Sequence, residues 1–410
     1  MQTRVHTFVT GAGWHRFVAD LLESDLAALR RGRPLPANIG QLDLVNDLGA
    51  DSLELMALTA VLAEVLQLNQ AGMLDALLGD TRVASWTRVA AEALAQAHAP
   101  VRLRFRTSGS AGMPKSCEHD LATLLQEIAA LRPLFPGRRR IVSAVPAHHI
   151  YGFLFTVLLP QALELEVVDV RHRVAAGVWQ ALQPGDLVIG YPEFWQAALA
   201  GANGGGGQAA LPADVVGVSS TAPCPAPLAD GLLAAGLARL VQVYGSSETA
   251  GVGWRDSAQS PYRCLPYWRR IDGDEGALER GMPDGSVRTY PLQDSLRWDD
   301  DGCFVPTGRR DAAVQVGGVN VFPERVAALL RSHPGVRESA VRLMRPDEGV
   351  RLKAFIVPNE GESESSLTMQ LDSWLRERLT NAERPASYSF GDRLPRQRNG
   401  KPADWVIDLG

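Results

Sequence analysis

Of the 41 basic residues in this 410-residue chain only three are lysine: Lys115, Lys353 and Lys401. Arginine serves wherever a plain positive charge suffices. Each surviving lysine therefore invites a reason. A compact ammonium on a flexible stem can act as a point donor to a phosphate or to a developing carboxylate charge, which Lys115 and Lys401 are expected to do. The bland alternative is that two lysines fell beside glycines by chance. Lys115 closes the small-residue stretch Thr107-Ser-Gly-Ser-Ala-Gly-Met-Pro-Lys115, and Lys401 ends Asn399-Gly400-Lys401. Small residues let backbone N–H groups and hydroxyls wrap a polyphosphate while the lysine neutralises it. A Gly/Ser linker is the bland alternative, and the ordered Pro-Lys ending argues against it. This is not the P-loop of NTPases, because the lysine follows proline and no Gly-Lys-Thr opens a helix. Further along, Pro146-Ala-His-His149-Ile-Tyr151-Gly152 offers imidazoles that are as often buried, hydrogen-bonded side chains. Tyr244-Gly245-Ser-Ser247-Glu248 offers a carboxylate of the kind a hard cation needs.

Periodicity shows the elements that must carry these groups. Trp14 to Leu29, Ser52 to Leu66 and Val83 to Ala95 have helical apolar spacing, so residues from about 12 to 97 read as a helical bundle. Its stretch from Asn38 to Asp80 holds seven acidic residues and no basic one, a surface that a basic partner fits. Pro100 to Arg106 then alternates like a strand and runs straight into the glycine stretch. Short apolar strands are expected at Arg140 to Val145, Glu166 to Val170, Asp186 to Ile189, Asp214 to Ser219 and Arg239 to Val243, in the manner of an α/β domain. Gly204 to Gly207 reads as a flexible loop. Helices at Pro323 to Ser332 and Leu367 to Leu379, with strands at Ser339 to Leu343 and Leu352 to Val357, form a separate C-terminal domain.

The whole is an α/β multidomain protein with boundaries at 1–98, 99–308 and 309–410. The net charge of -5 gives no reason to expect nucleic acid. No apolar run is long enough to cross a membrane, and the N-terminus lacks a signal core, so a cytoplasmic location is expected. The four cysteines have no metal-ligand spacing.

The motifs together resemble those of adenylate-forming enzymes, the superfamily of acyl-CoA synthetases, aryl acid ligases and adenylation domains, here in a shortened form similar to the phenylacetate-type ligases. The resemblance implies a helical bundle, a shortened α/β core and a small α+β C-terminal domain on a hinge. It implies an AMP-forming acid–thiol ligase using ATP and Mg²⁺. Thr107, Ser108, Gly109, Ser110, Gly112 and Lys115 would bind phosphate, although the family usually has threonine where Ala111 stands. His149, Tyr151 and Gly152, with Ser219, Ser220 and Thr221, would border the acyl group. Tyr244, Gly245 and Ser247 would meet the nucleotide and Glu248 the metal. Asp294 would hold the ribose with Arg309 nearby, Asp311 would be the hinge, Gly317 and Gly318 would line the thiol tunnel, and Lys401 would act on the carboxylate and α-phosphate.

The acidic bundle also carries Asp47-Leu-Gly-Ala-Asp51-Ser52-Leu53-Glu54-Leu-Met56, which resembles the attachment site of acyl carrier proteins. That resemblance implies phosphopantetheine on Ser52, installed by a phosphopantetheinyl transferase, at a helix N-terminus that favours phosphate; the alternative is an ordinary N-cap. Only about four residues separate the last bundle helix from the first strand, a reach of roughly 14 Å. The bundle is therefore expected to be fixed against the core, with any arm on Ser52 serving a neighbouring chain or a downstream enzyme, or with the bundle unmodified and contributing packing. Three readings follow. The first is activation of a small aryl or short acyl carboxylic acid and transfer to a carrier-protein thiol. The second is a CoA ligase with a structural bundle, and the third is a non-catalytic carrier or scaffold. An amino acid substrate is disfavoured, because no aspartate stands in the His-His-Ile-Tyr-Gly motif to hold an ammonium.

Overall fold

The computed structural model describes residues 11–30, 33–68, 71–96, 100–107, 115–203, 211–311, 313–345, 347–395 and 404–405. The chain divides into two compact units, a larger one of 1–107, 116–292 and 296–306 and a smaller one built around 307–410 with Gln293–Ser295.

The larger unit begins with helices α1 (Ala12–Leu29), α2 (Ser52–Leu66), α3 (Ala71–Gly79) and α4 (Val83–Gln96). Three lie where the apolar spacing puts them; α3 was not expected. Asp51 caps α2 by accepting the Glu54 N–H at 2.8 Å, while Glu54 accepts the Asp51 N–H at 3.1 Å, a capping box that stops fraying of the first turn. Arg30 then grips both Glu54 oxygens at 2.6 Å. These helices share one hydrophobic core with the sheet that follows. Phe17 of α1 meets Phe153 at 5.0 Å and Phe105 at 6.5 Å, and Phe105 meets Phe153 at 5.3 Å.

Strands β1 (Arg102–Thr107) and β2 (Lys115–Asp120) pair with each other, and α5 (Leu121–Leu131) follows. The main sheet then uses β3 (Arg140–Ser143), β4 (Glu166–Asp169), β5 (Asp186–Gly190), β6 (Val216–Ser219), β7 (Arg239–Ser246), β8 (Ala250–Arg255) and β9 (Tyr262–Cys264). A three-stranded sheet of β10 (Trp268–Ile271), β11 (Asp274–Gly281) and β12 (Val287–Pro291) comes next, before β13 (Asp294–Trp298) and β14 (Cys303–Arg309) complete the nine-stranded order β13-β14-β9-β8-β7-β6-β5-β3-β4. The five strands β4-β3-β5-β6-β7 are parallel, as helical crossovers require, and β8 and β9 turn antiparallel. The core strand β5 is buried throughout.

In the smaller unit β17 (Val336–Leu343), β18 (Leu352–Pro358) and β19 (Ser387–Phe390) form a sheet under the helices Pro323–Arg331 and Glu364–Arg376. A hairpin of β15 (Val314–Val316) and β16 (Val319–Val321) precedes them. Gly317 and Gly318 have φ of 59° and 74°, the two left-handed positions that a two-residue hairpin turn of this hand needs.

Candidate active site

In an open parallel sheet, ligands gather beyond the carboxyl ends of the strands. Three of the expected motifs leave those ends in the larger unit: Pro146–Gly152 after β3, Ser219–Thr221 at the end of β6, and Tyr244–Glu248 at the end of β7. The topology therefore brings the acyl-site and nucleotide-site stretches to one edge.

The acyl-site loop is held by α1. Arg16 donates to the Ser143 hydroxyl at 2.7 Å and to the Val145 carbonyl at 2.8 Å. Buried Asp20 accepts the Ala147 N–H at 2.6 Å and Arg171 at 2.6 Å, and Arg171 also pairs with Asp169 at the end of β4. Burial raises the Asp20 pKa, with Arg171 and Arg16 opposing it. The loop is tight: a Cβ at Gly152 would stand 1.9 Å from the Pro146 carbonyl, so only glycine fits. His149 stands at the N-cap position of the following helix with an extended backbone and no side-chain cap bond, and stays exposed. His148 lies against it at 4.3 Å, with its Nδ1 buried and without a partner among the described residues. Burial pushes the His148 imidazole well below its ordinary pKa, with His149 and Arg171 adding to the shift. Tyr151 is buried, and its hydroxyl is engaged by the Gly190 carbonyl at 2.9 Å. It serves the loop's packing and offers no free donor to a substrate.

On β6, the Ser219 hydroxyl is buried without a partner among the described residues, Ser220 donates to the Val243 carbonyl at 2.8 Å, and Thr221 has a left-handed φ of 75°. On β7, the Tyr244 ring stands edge-on to Phe304 at 5.2 Å. A Cβ at Gly245 would lie 2.1 Å from the Ala250 carbonyl. Ser246 and Thr249 bond each other across the turn, with the Ser246 N–H donating to the Thr249 hydroxyl at 3.1 Å, and Glu248 between them is half-buried. One carboxylate on a braced turn, with no described side chain bonded to it, suits a hard cation that takes its remaining oxygens from phosphate and water.

Thr107 ends β1 and Lys115 opens β2. Ser108, Gly109, Ser110, Ala111, Gly112 and Lys401 lie outside the described residues, as does Gly204 to Gly207. The strands flanking the glycine stretch are tied to the helices: Arg106 pairs with Asp25 of α1 at 2.8 Å and Glu64 of α2 at 2.5 Å, and Ser116 donates to the same Glu64 at 3.2 Å.

In the smaller unit Arg309 lies 3.6 Å from Asp294 and forks onto both Asp311 oxygens at 2.9 and 2.5 Å. Although burial pushes the other way, this fork holds the Asp311 carboxyl below its ordinary range. Lys353, the third lysine, is fully buried. It donates to Glu348 and to the carbonyl of Trp405, four residues beyond Lys401.

The AMP-binding enzyme model matches residues 45–267, and the model of the AMP-binding enzyme C-terminal domain matches residues 325–401. The chain belongs to the AMP-binding enzyme family. A 4-coumarate--CoA ligase of Halorhodospira halophila is 36% identical over 94% of this chain and 97% of its own length. Its counterpart in Rhodobacter capsulatus is 37% identical over 92% and 97%. An amide bond synthetase from Marinactinospora thermotolerans shares the fold with a TM-score of 0.62 at 19% identity, covering 98% of this chain and 97% of that one. The o-succinylbenzoate CoA synthetase of Bacillus subtilis matches at 0.59 and 19%, over 76% and 73%. As an AMP-binding enzyme the chain is an acid–thiol ligase that forms an acyl-adenylate from ATP. Nothing in these relationships supports an acyl carrier protein as partner, phosphopantetheine on Ser52 or a transferase to install it, and the CoA-ligase alternative fits better. No helix among the described residues is long and apolar enough to cross a membrane.

Nothing in the sequence marks Arg16 and Asp20 as the grip on the loop after β3. They lie on the first helix of the expected bundle, and only the contact with Val145 and Ala147 distinguishes them from ordinary polar positions.

Proposed function

We propose that the chain is an aryl acid–CoA ligase whose N-terminal helices are a working part of the ligase and carry no acyl group. One observation supports this most: Arg16 and Asp20 of α1 hold the backbone of the acyl-site loop at Val145 and Ala147. A module that shuttled a substrate would have to leave that contact at each cycle. In this reading Ser52 is an exposed first-turn residue behind the Asp51 cap. The relatives that span nearly the whole chain are named as 4-coumarate--CoA ligases, so an acid of the hydroxycinnamate type is the proposed substrate.

The chemistry proceeds in two halves. The acid's carboxylate attacks the α-phosphate of ATP, and pyrophosphate leaves; CoA thiolate then attacks the acyl carbon, forming the thioester and expelling AMP. Mg²⁺, held by Glu248 and phosphate oxygens, would supply charge neutralisation in the first half. The Thr107–Lys115 stretch would hold the phosphates and Tyr244 the adenine. Asp294 and Arg309 would face the ribose, and His149 with Ser219–Thr221 the acyl end. Lys401 would neutralise charge between carboxylate and α-phosphate in the first half. Turning of the smaller unit about Asp311 would bring Gly317 and Gly318 to the thiol in the second.

Acid-dependent pyrophosphate exchange with 4-coumarate, 2-succinylbenzoate, acetate, a long-chain fatty acid and phenylalanine tests the substrate class. The expected result is preferred exchange with 4-coumarate and none with phenylalanine. Preference for acetate or the fatty acid would overturn it.

A further inference from the structure

Behind the Tyr244–Glu248 turn lies a buried polar set that the chemistry above does not use. His119 of β2 donates from Nε2 to the Ser247 carbonyl at 2.7 Å. Arg280 of β11 donates to the Thr249 carbonyl at 3.2 Å and to the Thr123 carbonyl at 2.7 Å. Glu127 of α5 accepts the Gly251 N–H on both oxygens, at 3.0 and 3.1 Å. His119 is 3% exposed, and Glu127 and Arg280 are 0% exposed. Trp268 adds a bond from its indole N–H to the Gly251 carbonyl at 2.7 Å, and the guanidinium lies 5.3 Å from its ring and 4.4 Å from that of Tyr267.

Residues 247, 249 and 251 are thus each held through the backbone by a side chain from a different element, while Glu248 between the first two keeps its carboxylate outside the set. Ala250 is forced to a left-handed φ of 57°, a strained conformation that persists only where its surroundings over-determine it. The fit allows no slack, since a Cβ at Gly251 would stand 2.3 Å from Glu127 Oε1. Burying an arginine and a glutamate costs more than packing apolar side chains of similar volume would. A sheet corner that needed only stability would be filled more cheaply.

We propose that His119, Glu127 and Arg280 are positioning residues that fix the height and direction of Glu248 for its cation. A ligand carboxylate has to be held within about 0.5 Å of its working position, and a turn closed only by the Ser246 and Thr249 hydroxyls does not supply that precision. This inference rests on the placement of Glu248 at the Mg²⁺–ATP site.

The test is the Mg²⁺ concentration that gives half-maximal acid-dependent pyrophosphate exchange, measured in full-length variants. Glu127→Leu and His119→Leu remove the acceptor and the donor. They are expected to raise that concentration roughly tenfold, the effect of one buried hydrogen bond, with the KM for the acid unchanged. Glu127→Gln and His119→Gln keep an acceptor and a donor at the same reach and are expected to stay within about twofold. If the leucine variants fail to fold, His119→Asn decides, because its amide is too short to reach Ser247 while its polarity is kept. Leucine or asparagine variants that melt at lower temperature with an unchanged Mg²⁺ midpoint would overturn the inference and leave the set a purely structural one. Glu248→Gln separates the two levels. If it moves the midpoint and the changes at His119 and Glu127 do not, the positioning role fails alone. If it leaves the midpoint unmoved, the placement of Glu248 fails and the inference with it.

Discussion

The loop that follows β3 and the turn that follows β7 leave the same end of one parallel sheet, and each is gripped through its backbone by charged side chains. The grips differ in origin. Behind the β7 turn stand His119, Glu127 and Arg280, buried groups from elements within the α/β part itself. Behind the β3 loop stand Arg16 and Asp20, from the first helix of the chain, joined by Arg171 in a cluster that solvent partly reaches. Nucleotide chemistry is the same for every acid, and a closed internal brace suits a site that need not vary. If the β3 loop borders the acid as proposed, it has to fit its substrate, and a brace from the N-terminal helices would let that part of the wall change without disturbing the proposed ATP side.

Breaking the outer brace should have the largest effect. Asp20→Leu leaves the Ala147 N–H without an acceptor and strips Arg16 and Arg171 of a buried partner. The expected cost is about 3 kcal/mol or more in unfolding free energy, the range for removing one member of a buried ion pair. The contrast between the loops predicts that the KM for the acid rises well above tenfold in this variant while the KM for ATP moves less than about threefold, as steady-state kinetics can show. Equal rises in both would show that the two braces are one.

The inner brace makes a smaller, pH-dependent contribution. Burial pushes the Glu127 carboxyl up from 4.5 to about 7, with the Arg280 charge opposing. Between those values the folded chain keeps a proton that the unfolded chain has released, so stability falls as pH rises through this window and levels off above it. Denaturant unfolding from pH 4.5 to 8 should show a decline of up to about 3 kcal/mol from this group, absent in Glu127→Gln. An unchanged slope in that variant would assign the decline elsewhere.

The groups whose own chemistry marks them were legible in the sequence. Lys115, Tyr244, Glu248, Asp294 and Arg309 sit in short runs that resemble the nucleotide motifs of the family, and the topology carries the β6 and β7 runs to one sheet edge. Helices with a long apolar period were legible too: α2 spans Ser52–Leu66 as its spacing indicates. The antiparallel run from β8 to β12 was not, because its exposed and buried positions alternate irregularly around a register shift at Tyr244/Gly245 and another at Arg270/Ile271. The braces were harder still. Glu127 did carry a signal, since it falls within the buried stripe of Leu124, Ile128 and Leu131, where a charge needs a reason. Asp20 gave less, because α1 is buried on most sides and its partner at Ala147 is 127 residues away. The carrier-like motif around Ser52 has a second explanation in the structure. Asp51 and Glu54 form a capping box that any helix start can use, and the family match from residue 45 runs straight through it.

If the N-terminal helices serve the acid site and free CoA is the acceptor, Ser52 carries nothing. Wild type and Ser52→Ala, both first exposed to a phosphopantetheinyl transferase, are given 4-coumarate, ATP, Mg²⁺ and CoA, and CoA thioester and intact protein mass are measured together. Equal rates of CoA thioester formation and no mass change on either chain are expected. An acyl group carried on the wild-type chain, lost in Ser52→Ala together with thioester formation, would contradict it.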